Sequence, residues 1–386
     1  MNKAVNIDVS RLSGEMAFLL LLLQDAASLD EETARGYASA LDWNAFVELA
    51  LHHRVYPAVY LKLNSLASIV PADTMETLRY HHHSNTFKML ELTKEMSRIS
   101  GALAEDGIRS IQLKGPVLAI QLYGDLSLRT SKDLDILVDP DDVELAEATM
   151  ARLGYEAADK HDSDPNWKRK YHHLSFSHKE RRAEVEIHWR LNPNPVDKHT
   201  FPQLWERRET VPVAGLSFYS LGKEDLLYYL TDHGARHAWF RLRWLVDIAR
   251  LVPHIRAEET DRYFKKHGGR VFAGQAFLLA SALLRADIPG ALLQMTTGRK
   301  AVRLAQDAMF FISKIVKLNP VPEKSAVWPY LKYTLSLMKP KQKWLYLLKH
   351  LEPNIEDRQQ LPLSKPFHFL YFPLRPFLWL WRHIIN

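Results

Sequence analysis

Apolar side chains recur at helical spacing in two long stretches of the chain, and a differently patterned stretch lies between them. Residues 10–106, and those from about Leu221 onward, follow the helical period. Between 107 and 192 the pattern breaks into short runs bounded by glycine, proline and charged residues, which is typical of strands and turns. The pattern predicts an α+β fold, in which a small mixed-sheet core lies between helical flanks.

The same changes of pattern define a domain organisation. We predict an N-terminal helical region over 1–106, a core over 107–220 and a C-terminal helical region over 221–386. A chain of 386 residues is long enough for two or three hydrophobic cores, so this division agrees with its length.

Individual elements are predicted from glycine and proline breaks and from side-chain periodicity. The predicted strands of the core are 108–113, 134–138, 155–158, 171–178 and 183–189. The predicted helices of the core are 117–123 and 143–153, and the polar stretch 159–170 is predicted to be a loop. The predicted helices of the C-terminal region are 225–237, 241–251, 271–284 and 301–316. Four polar residues, 179–182, join the last two strands as a hairpin turn.

Composition narrows the class of protein. Hydrophobic residues make up 47% of the chain and charged residues 25%, so an ordinary globular protein is expected. The chain has no cysteine, which excludes a disulfide framework, a thiolate zinc site and a cysteine nucleophile. This usage fits the reducing cytoplasm, where we expect the protein. The net charge of +6 is spread along the chain without a basic stripe interleaved with aromatics, which argues against a nucleic-acid partner.

Two apolar segments bear on membrane contact. The run 17–23 ends at Gln24 and is shorter than the roughly 20 apolar residues that a spanning helix needs, so a buried helix is expected. Segment 366–385 is rich in Phe, Leu and Trp, but its prolines and arginines argue against a spanning helix. It either packs on the body of the protein or contacts a membrane surface.

Two acidic strands carry the candidate chemistry. Asp133 and Asp135 lie two positions apart in a predicted strand, so they project from the same face. Adjacent carboxylates repel each other, and a divalent cation with oxygen ligands, Mg²⁺ or Mn²⁺ in its place, relieves the repulsion. Glu184, Glu186 and His188 share one face of the later strand.

If these two strands are neighbours in the sheet, Glu186 is the third carboxylate beside Asp133 and Asp135. Glu184 is the alternative third acid, although a solvent-facing position is expected for it. His188 is expected to support the site and not to bind a hard metal, because such metals favour oxygen ligands.

A turn upstream of the first acidic strand offers a place for phosphate. Gly115 lets a triphosphate approach the backbone, and amides at the start of the following helix favour anions. Lys114 adds a positive charge. The alternative for Gly115 is a plain turn glycine. Arg129 lies four residues before Asp133.

Several motifs follow one another along the chain: Leu113-Lys114-Gly115, Leu122-Tyr123-Gly124, Arg129, Asp133-Leu134-Asp135-Ile136-Leu137-Val138 and Glu186-Ile187-His188-Trp189. In this order they resemble the uncharacterised nucleotidyltransferase family of the polymerase-beta-like superfamily. The resemblance extends almost end to end, through His53-Arg54 upstream and the endings Leu361-Pro362 and Leu374-Arg375-Pro376. Between them it includes four residues downstream of the core, His233, His237, Trp239 and Asp247. Those four either line an acceptor pocket or pack helices together.

The resemblance implies a nucleotidyltransferase core that moves a nucleoside monophosphate from an NTP to an acceptor hydroxyl or phosphate and releases pyrophosphate. It implies that Asp133 and Asp135 are metal ligands, and that Glu186 binds metal or takes the acceptor's proton. It further implies that Lys114 and Gly115 border the triphosphate and that Arg129 steadies phosphate or the aspartates. The acceptor stays open among a small molecule, a sugar, a peptide and a protein.

The chain departs from the superfamily pattern at the turn. Gly115-Pro116 stands where Gly-Ser or Gly-Gly is usual, and the spacing from Gly115 to Asp133 is longer than usual. The alternative function is a catalytically silent nucleotide-binding protein with a regulatory or assembly role. Asp133 and Asp135 favour the active enzyme, because a silent site has no physical reason to keep two repelling acids.

Overall fold

The computed structural model describes residues 7–24, 31–158, 167–181, 183–193, 199–318, 321–338, 340, 342–344, 357 and 360–381. The chain divides into two compact units, Met1–Ser313 and Lys314–Asn386. The first unit contains a mixed sheet with helices before and after it in the sequence, which confirms the predicted α+β class. The division into regions 1–106, 107–220 and 221–386 stays a prediction.

The helices described in the first unit are α1 Gly14–Leu23, α2 Glu31–Ala38, α3 Trp43–His52, α4 Tyr56–Asn64, α5 Ala72–Glu105, α6 Pro116–Tyr123, α7 Val143–Arg152, α8 Trp167–Lys170, α9 Phe201–Glu206, α10 Lys223–Arg236, α11 Leu242–Leu251, α12 Ala257–His267, α13 Arg270–Leu284, α14 Gly290–Leu293 and α15 Arg299–Ile312. The second unit contains α16 Val327–Leu337 and α17 Tyr371–Leu380. The strands are β1 Ser110–Gln112, β2 Asp133–Val138, β3 Glu156–Ala157, β4 His173–Ser177, β5 Glu184–His188, β6 Glu209–Val213 and β7 Leu216–Ser220.

These bounds confirm the predicted strands and helices of the core to within a few residues. The predicted loop over 159–170 is wrong at its end, where α8 forms, and residues 159–166 lie outside the described residues. Packing explains α8, because Trp167 contacts Trp189 at 5.2 Å between ring centroids and the Trp189 indole donates to the carbonyl of Lys168 at 2.9 Å. The sequence did not predict α9, α12 or the hairpin β6–β7.

The described strands form one sheet in the order β3-β4-β5-β2-β1-β7-β6. At its centre β2 and β5 run parallel, and the register places Asp133 opposite Glu184 and Asp135 opposite Glu186. On either side of this pair, β1 runs antiparallel to β2 and β4 antiparallel to β5. The two acidic strands are therefore direct neighbours, as the third-carboxylate interpretation requires.

Side-chain alternation gives this sheet an apolar face and a polar face. Leu134 and Ile136 of β2, together with Val185 and Ile187 of β5, belong to one buried cluster that includes apolar residues of α5 and α7. Full burial of an aliphatic side chain of this size favours folding by roughly 1.5–3 kcal/mol. The acidic residues of β2 and β5 project from the opposite face, since side chains alternate along a strand.

One buried glutamate fastens the hairpin β4–β5 to α5, the 34-residue helix beneath the sheet. Glu95 on α5 accepts hydrogen bonds from Tyr155 at 2.7 Å and Arg181 at 2.9 Å, and it also pairs with Arg98. Burial opposes its ionisation, but these donors bring the pKa of Glu95 below its usual value. A charged network therefore fixes the position of β5 on the helix.

The two apolar segments have different environments. The run 17–23 lies in α1, where Phe18, Leu19 and Leu20 are buried, so the predicted buried helix is confirmed. In the C-terminal segment Phe369 and Phe377 are 64% and 68% exposed, and residues 382–386 lie outside the described residues. Among the described helices none is both long and apolar enough to cross a bilayer. Contact of 366–385 with a membrane surface stays a prediction.

Candidate active site

Asp135 lies at the centre of the polar face of the sheet. Its side chain is buried, and Oδ1 lies 3.3 Å from Lys114 Nζ and 3.2 Å from His188 Nε2. Burial raises the pKa of a carboxyl group, but the charge of Lys114 and the hydrogen bond from His188 bring the pKa of Asp135 below its usual range. Asp135 is therefore ionised at neutral pH.

Asp133 lies one strand repeat away and behaves differently. Burial and the neighbouring charge of Asp135 raise the pKa of Asp133, and Lys114 compensates only in part. The two aspartates therefore meet the mutual repulsion expected from their spacing, which a bound cation would relieve.

Glu186 joins the aspartates through His188. His188 Nε2 lies 3.1 Å from Glu186 Oε2, in addition to its contact with Asp135. Burial disfavours the imidazolium, yet the two carboxylates raise the pKa of His188 above its usual value. His188 therefore lies within the carboxylate cluster and not at its margin. Its contacts with Asp135 and Glu186 are those of a residue that supports the acids, which is the role expected from the sequence.

The other acid of β5 lies in a different environment. Glu184 is exposed and pairs with Lys132 at 2.6 Å, in a pair whose side chains are each more than half exposed. This solvent-facing position is the one expected for Glu184. It makes Glu186 the acid of β5 that contacts His188.

The cluster has the donors that a divalent cation needs. Asp135, Glu186 and His188 each offer a ligand atom, and these atoms lie within 4.8 Å of one another. Asp135 Oδ2 is buried and accepts no hydrogen bond from the described residues. A buried, ionised oxygen without a donor is costly unless a cation or water binds it, so the residues fit a metal with oxygen ligands.

The turn between β1 and α6 lies against the same strand. The amide of Leu113 donates to the carbonyl of Asp135 at 2.9 Å, which places Lys114 next to the carboxylates. Gly115 has φ 73° and ψ −143°, a conformation that only glycine adopts readily. Pro116 then begins α6, so the first amide of that helix is missing. The turn with Lys114 and Gly115 thus lies beside Asp135, which is where the sequence analysis expected the triphosphate.

Arg129 is held in an ion pair on the same side of the sheet. Its side chain is 1% exposed, and Nε and Nη2 donate to the two carboxylate oxygens of Asp247 at 2.9 Å each. Tyr123 Oη donates to the same carboxylate at 2.8 Å. Tyr123 and Arg129 therefore form one cluster with Asp247, which lies 118 positions after Arg129, and this cluster joins α6 and α11 to the segment before β2. A direct role of Arg129 in nucleotide binding stays a prediction.

Helix α10 places near Lys114 one residue that the sequence analysis did not assign, Tyr229. Tyr229 lies one helical repeat before His233, and its ring centroid is 5.4 Å from Lys114 Nζ. His233 and His237 are half-buried, and their rings are 4.7 Å apart. Burial lowers the pKa of both, that of His237 to about 3, so both are neutral. The i, i+4 spacing back from His233 is the signal that would have identified Tyr229.

The other two residues of that downstream set pack the fold. Trp239 is fully buried, and its ring lies so close to Gly234 that a Cβ there would come within 2.3 Å of it. Asp247 is buried against Arg129. A further residue outside the sequence assignments, Arg243, donates to Thr130 Oγ1 at 3.0 Å, and burial lowers its pKa to about 9.

Comparison with known proteins gives one match. A family model described as an uncharacterised nucleotidyltransferase matches residues 39–285, which include the sheet and the helices α3 to α13 in full. No curated protein and no solved structure matches the chain.

Proposed function

Because the chain belongs to the uncharacterised nucleotidyltransferase family, we propose that it moves a nucleoside monophosphate from a Mg²⁺-bound NTP to an acceptor and releases pyrophosphate. The observation that carries this proposal is the register of β2 and β5, which brings Asp135 and Glu186 together on neighbouring parallel strands. Asp133 lies on the same strand face as Asp135. Mn²⁺ is expected to replace Mg²⁺, since it takes the same oxygen ligands.

Asp133 and Asp135 would hold the metal, with Glu186 as the third ligand or as the base. When bound, the divalent ion supplies charge stabilisation to the phosphates during the displacement. An acceptor oxygen attacks the α-phosphorus, the bond to the pyrophosphate oxygen breaks, and the proton of an acceptor hydroxyl goes to a carboxylate. Glu186 is accessible for that role, because its side chain is 29% exposed.

Lys114 and Gly115 would border the triphosphate. Although burial opposes charge on a lysine, Asp135 and Tyr229 hold the pKa of Lys114 above its usual value, so the side chain is a cation at neutral pH. Gly115 gives the turn its positive φ, and this turn holds Lys114 beside Asp135. Arg129 would act on this site from its place on the polar side of the sheet, where Asp247 holds it.

The acceptor would enter on the side of α10. Tyr229 and His233 of that helix, and His237 directly after it, lie near Lys114, and the two neutral histidines offer both a donor and an acceptor nitrogen. Such a surface suits a polar acceptor, namely a small molecule, a sugar, a peptide or a protein side chain.

Metal-dependent nucleotide binding is the first test. Mg²⁺ together with the correct NTP should raise the Tm of the protein, because a ligand that binds only the native state stabilises it. Pyrophosphate release should then fall by at least about 100-fold, roughly 2.7 kcal/mol, in Asp133→Asn/Asp135→Asn. Glu184→Gln is the matched control, since it removes a carboxylate of β5 that points to solvent and pairs with Lys132.

Unchanged pyrophosphate release in the double variant would overturn the mechanism. Incubation of α-labelled NTP with a host extract identifies the acceptor as the labelled product. Metal-dependent stabilisation by NTP without any labelled product would favour the silent nucleotide-binding alternative.

A further inference from the structure

Three histidines meet beside the carboxylates, on the hairpin β4–β5. His173 begins β4, His172 precedes it, and the register places His173 opposite His188 of β5. One ring nitrogen from each histidine lies within 4.8 Å of the other two. The ring centroid of His188 lies 5.0 Å from that of His173 and 5.7 Å from that of His172.

The spacing of two of these nitrogens is that of ligands on one ion. His173 Nδ1 lies 3.3 Å from His172 Nε2. Two imidazole nitrogens bound to a tetrahedral zinc ion, each about 2.05 Å from the metal, are about 3.3 Å apart. Neutral imidazole binds such an ion through either of its ring nitrogens.

His188 has the hydrogen-bond pattern of a metal-bound histidine. One of its nitrogens, Nε2, faces the carboxylates of Asp135 and Glu186, whereas Nδ1 is buried and makes no hydrogen bond to the described residues. In metal sites a histidine commonly donates one ring N–H to a carboxylate, and that bond orients the ring and leaves the other nitrogen for the ion. The side chain is 5% exposed, so water does not readily satisfy Nδ1.

We propose that His172, His173 and His188 bind a divalent transition-metal ion of the zinc class, at a second site next to the carboxylates. Imidazole nitrogens suit such an ion, whereas Mg²⁺ prefers carboxylate and water oxygens, so the two sites select different metals. Glu186 Oε2 stays on the other side of the His188 ring, 3.1 Å from Nε2, where it orients the ring for the ion. Through His188 the ion would fix the positions of Asp135 and Glu186.

The three consecutive histidines of α5 cannot form an alternative metal site, because of their geometry. His81, His82 and His83 are consecutive on a helix, so their side chains point about 100° apart and cannot converge on one ion. They nevertheless provide a matched control, because His83 is an exposed histidine far from the sheet in sequence.

The test uses the full chain without a histidine tag, stripped of metal and titrated with Co²⁺ in excess Mg²⁺. We expect one equivalent of Co²⁺ to give the visible absorption of a tetrahedral site, and Zn²⁺ to displace it. His172→Ala/His173→Ala should lose this absorption, whereas His83→Ala should keep it. His172→Asn alone, with circular dichroism to check folding, replaces the double variant if that variant is unstable.

The absence of a stoichiometric tetrahedral spectrum in the wild-type chain would overturn the proposal. So would a spectrum that survives His172→Ala/His173→Ala, or one that disappears in His83→Ala. No nucleotide is present in this experiment, so its result is independent of whether the protein transfers a nucleotide.

Discussion

Arg129 and Asp247 form a fully buried ion pair, and its geometry explains why motif residues from distant segments belong together. The guanidinium binds both carboxylate oxygens, and Tyr123 adds a third hydrogen bond to Asp247. Burying two charges costs several kcal/mol per ion, which the pair recovers only when every donor is matched in this way. Removal of one partner therefore leaves a charge that nothing else compensates.

We predict that Asp247→Ala lowers the free energy of unfolding by about 3–5 kcal/mol, because it strands the buried charge of Arg129. Arg129→Met/Asp247→Leu should recover most of that loss, since it removes both charges and keeps the volume. Urea unfolding of the variants measures the difference. Arg79→Ala, at an exposed pair with Glu76, is the control and should cost less than about 1 kcal/mol. If Asp247→Ala lowers the free energy of unfolding no more than Arg79→Ala does, the ion pair does not have the buried-charge cost described.

At the scale of elements, the turn from β1 to α6 combines a strained backbone with a position beside the carboxylates. Gly115 adopts a positive φ next to the carbonyl of Asp133. A Cβ added at Gly115 would lie 3.8 Å from that carbonyl oxygen. There is thus room for a methyl group, and the obstacle to substitution is the backbone conformation itself. The conformation holds Lys114 against Asp135.

Gly115→Ala should cost about 1–3 kcal/mol of stability, since a non-glycine residue is strained at this φ and ψ. Gly101→Ala is the matched control within α5, where a Cβ meets nothing within 4 Å and alanine is favoured by about 1 kcal/mol. The two variants should therefore shift the Tm in opposite directions. A neutral or stabilising Gly115→Ala would show that the turn relaxes to ordinary helix entry.

Local pattern was sufficient to predict most elements of the core but not the hairpin β6–β7. Val211, Val213 and Phe218 are buried in the alternation of two strands, and Ala214-Gly215 forms the tight turn with positive φ at both residues. Pro212 concealed this signal, because proline argues against a strand. In the sheet β6 is an edge strand, where a missing N–H is tolerated.

The candidate site follows the same division between local and distant information. Asp133, Asp135 and Glu186 were predicted to share faces because the strand period is local, and only the pairing of the strands had to be assumed. The partner of Arg129 lies 118 positions away, and Tyr229 reaches Lys114 from a helix of another region. Such contacts arise from tertiary packing, which no spacing rule within one segment describes.

At the scale of the molecule, the sheet packs against helices that precede it and helices that follow it in the sequence. The apolar face of β2 and β5 is buried with Met89, Met96 and Ile99 of α5. On the polar side Arg129 is joined to Asp247 of α11. A fragment cut at residues 107 and 220 would expose the apolar face of the sheet to water. On the polar face it would leave the charge of Arg129 without its partner Asp247.

We therefore predict that a fragment of residues 107–220 does not fold by itself, whereas residues 1–313, one compact unit, unfold in a single cooperative transition. The exposed apolar face would cost the fragment roughly 1.5–3 kcal/mol for each large side chain, which exceeds what a small sheet can lose from a total stability of about 5–15 kcal/mol. Urea unfolding followed by circular dichroism distinguishes the two, since a folded unit gives a cooperative transition whose m-value matches its size. Cooperative unfolding of 107–220 would mean that the sheet is an autonomous domain and that its helical flanks are additions to it, contrary to the packing described.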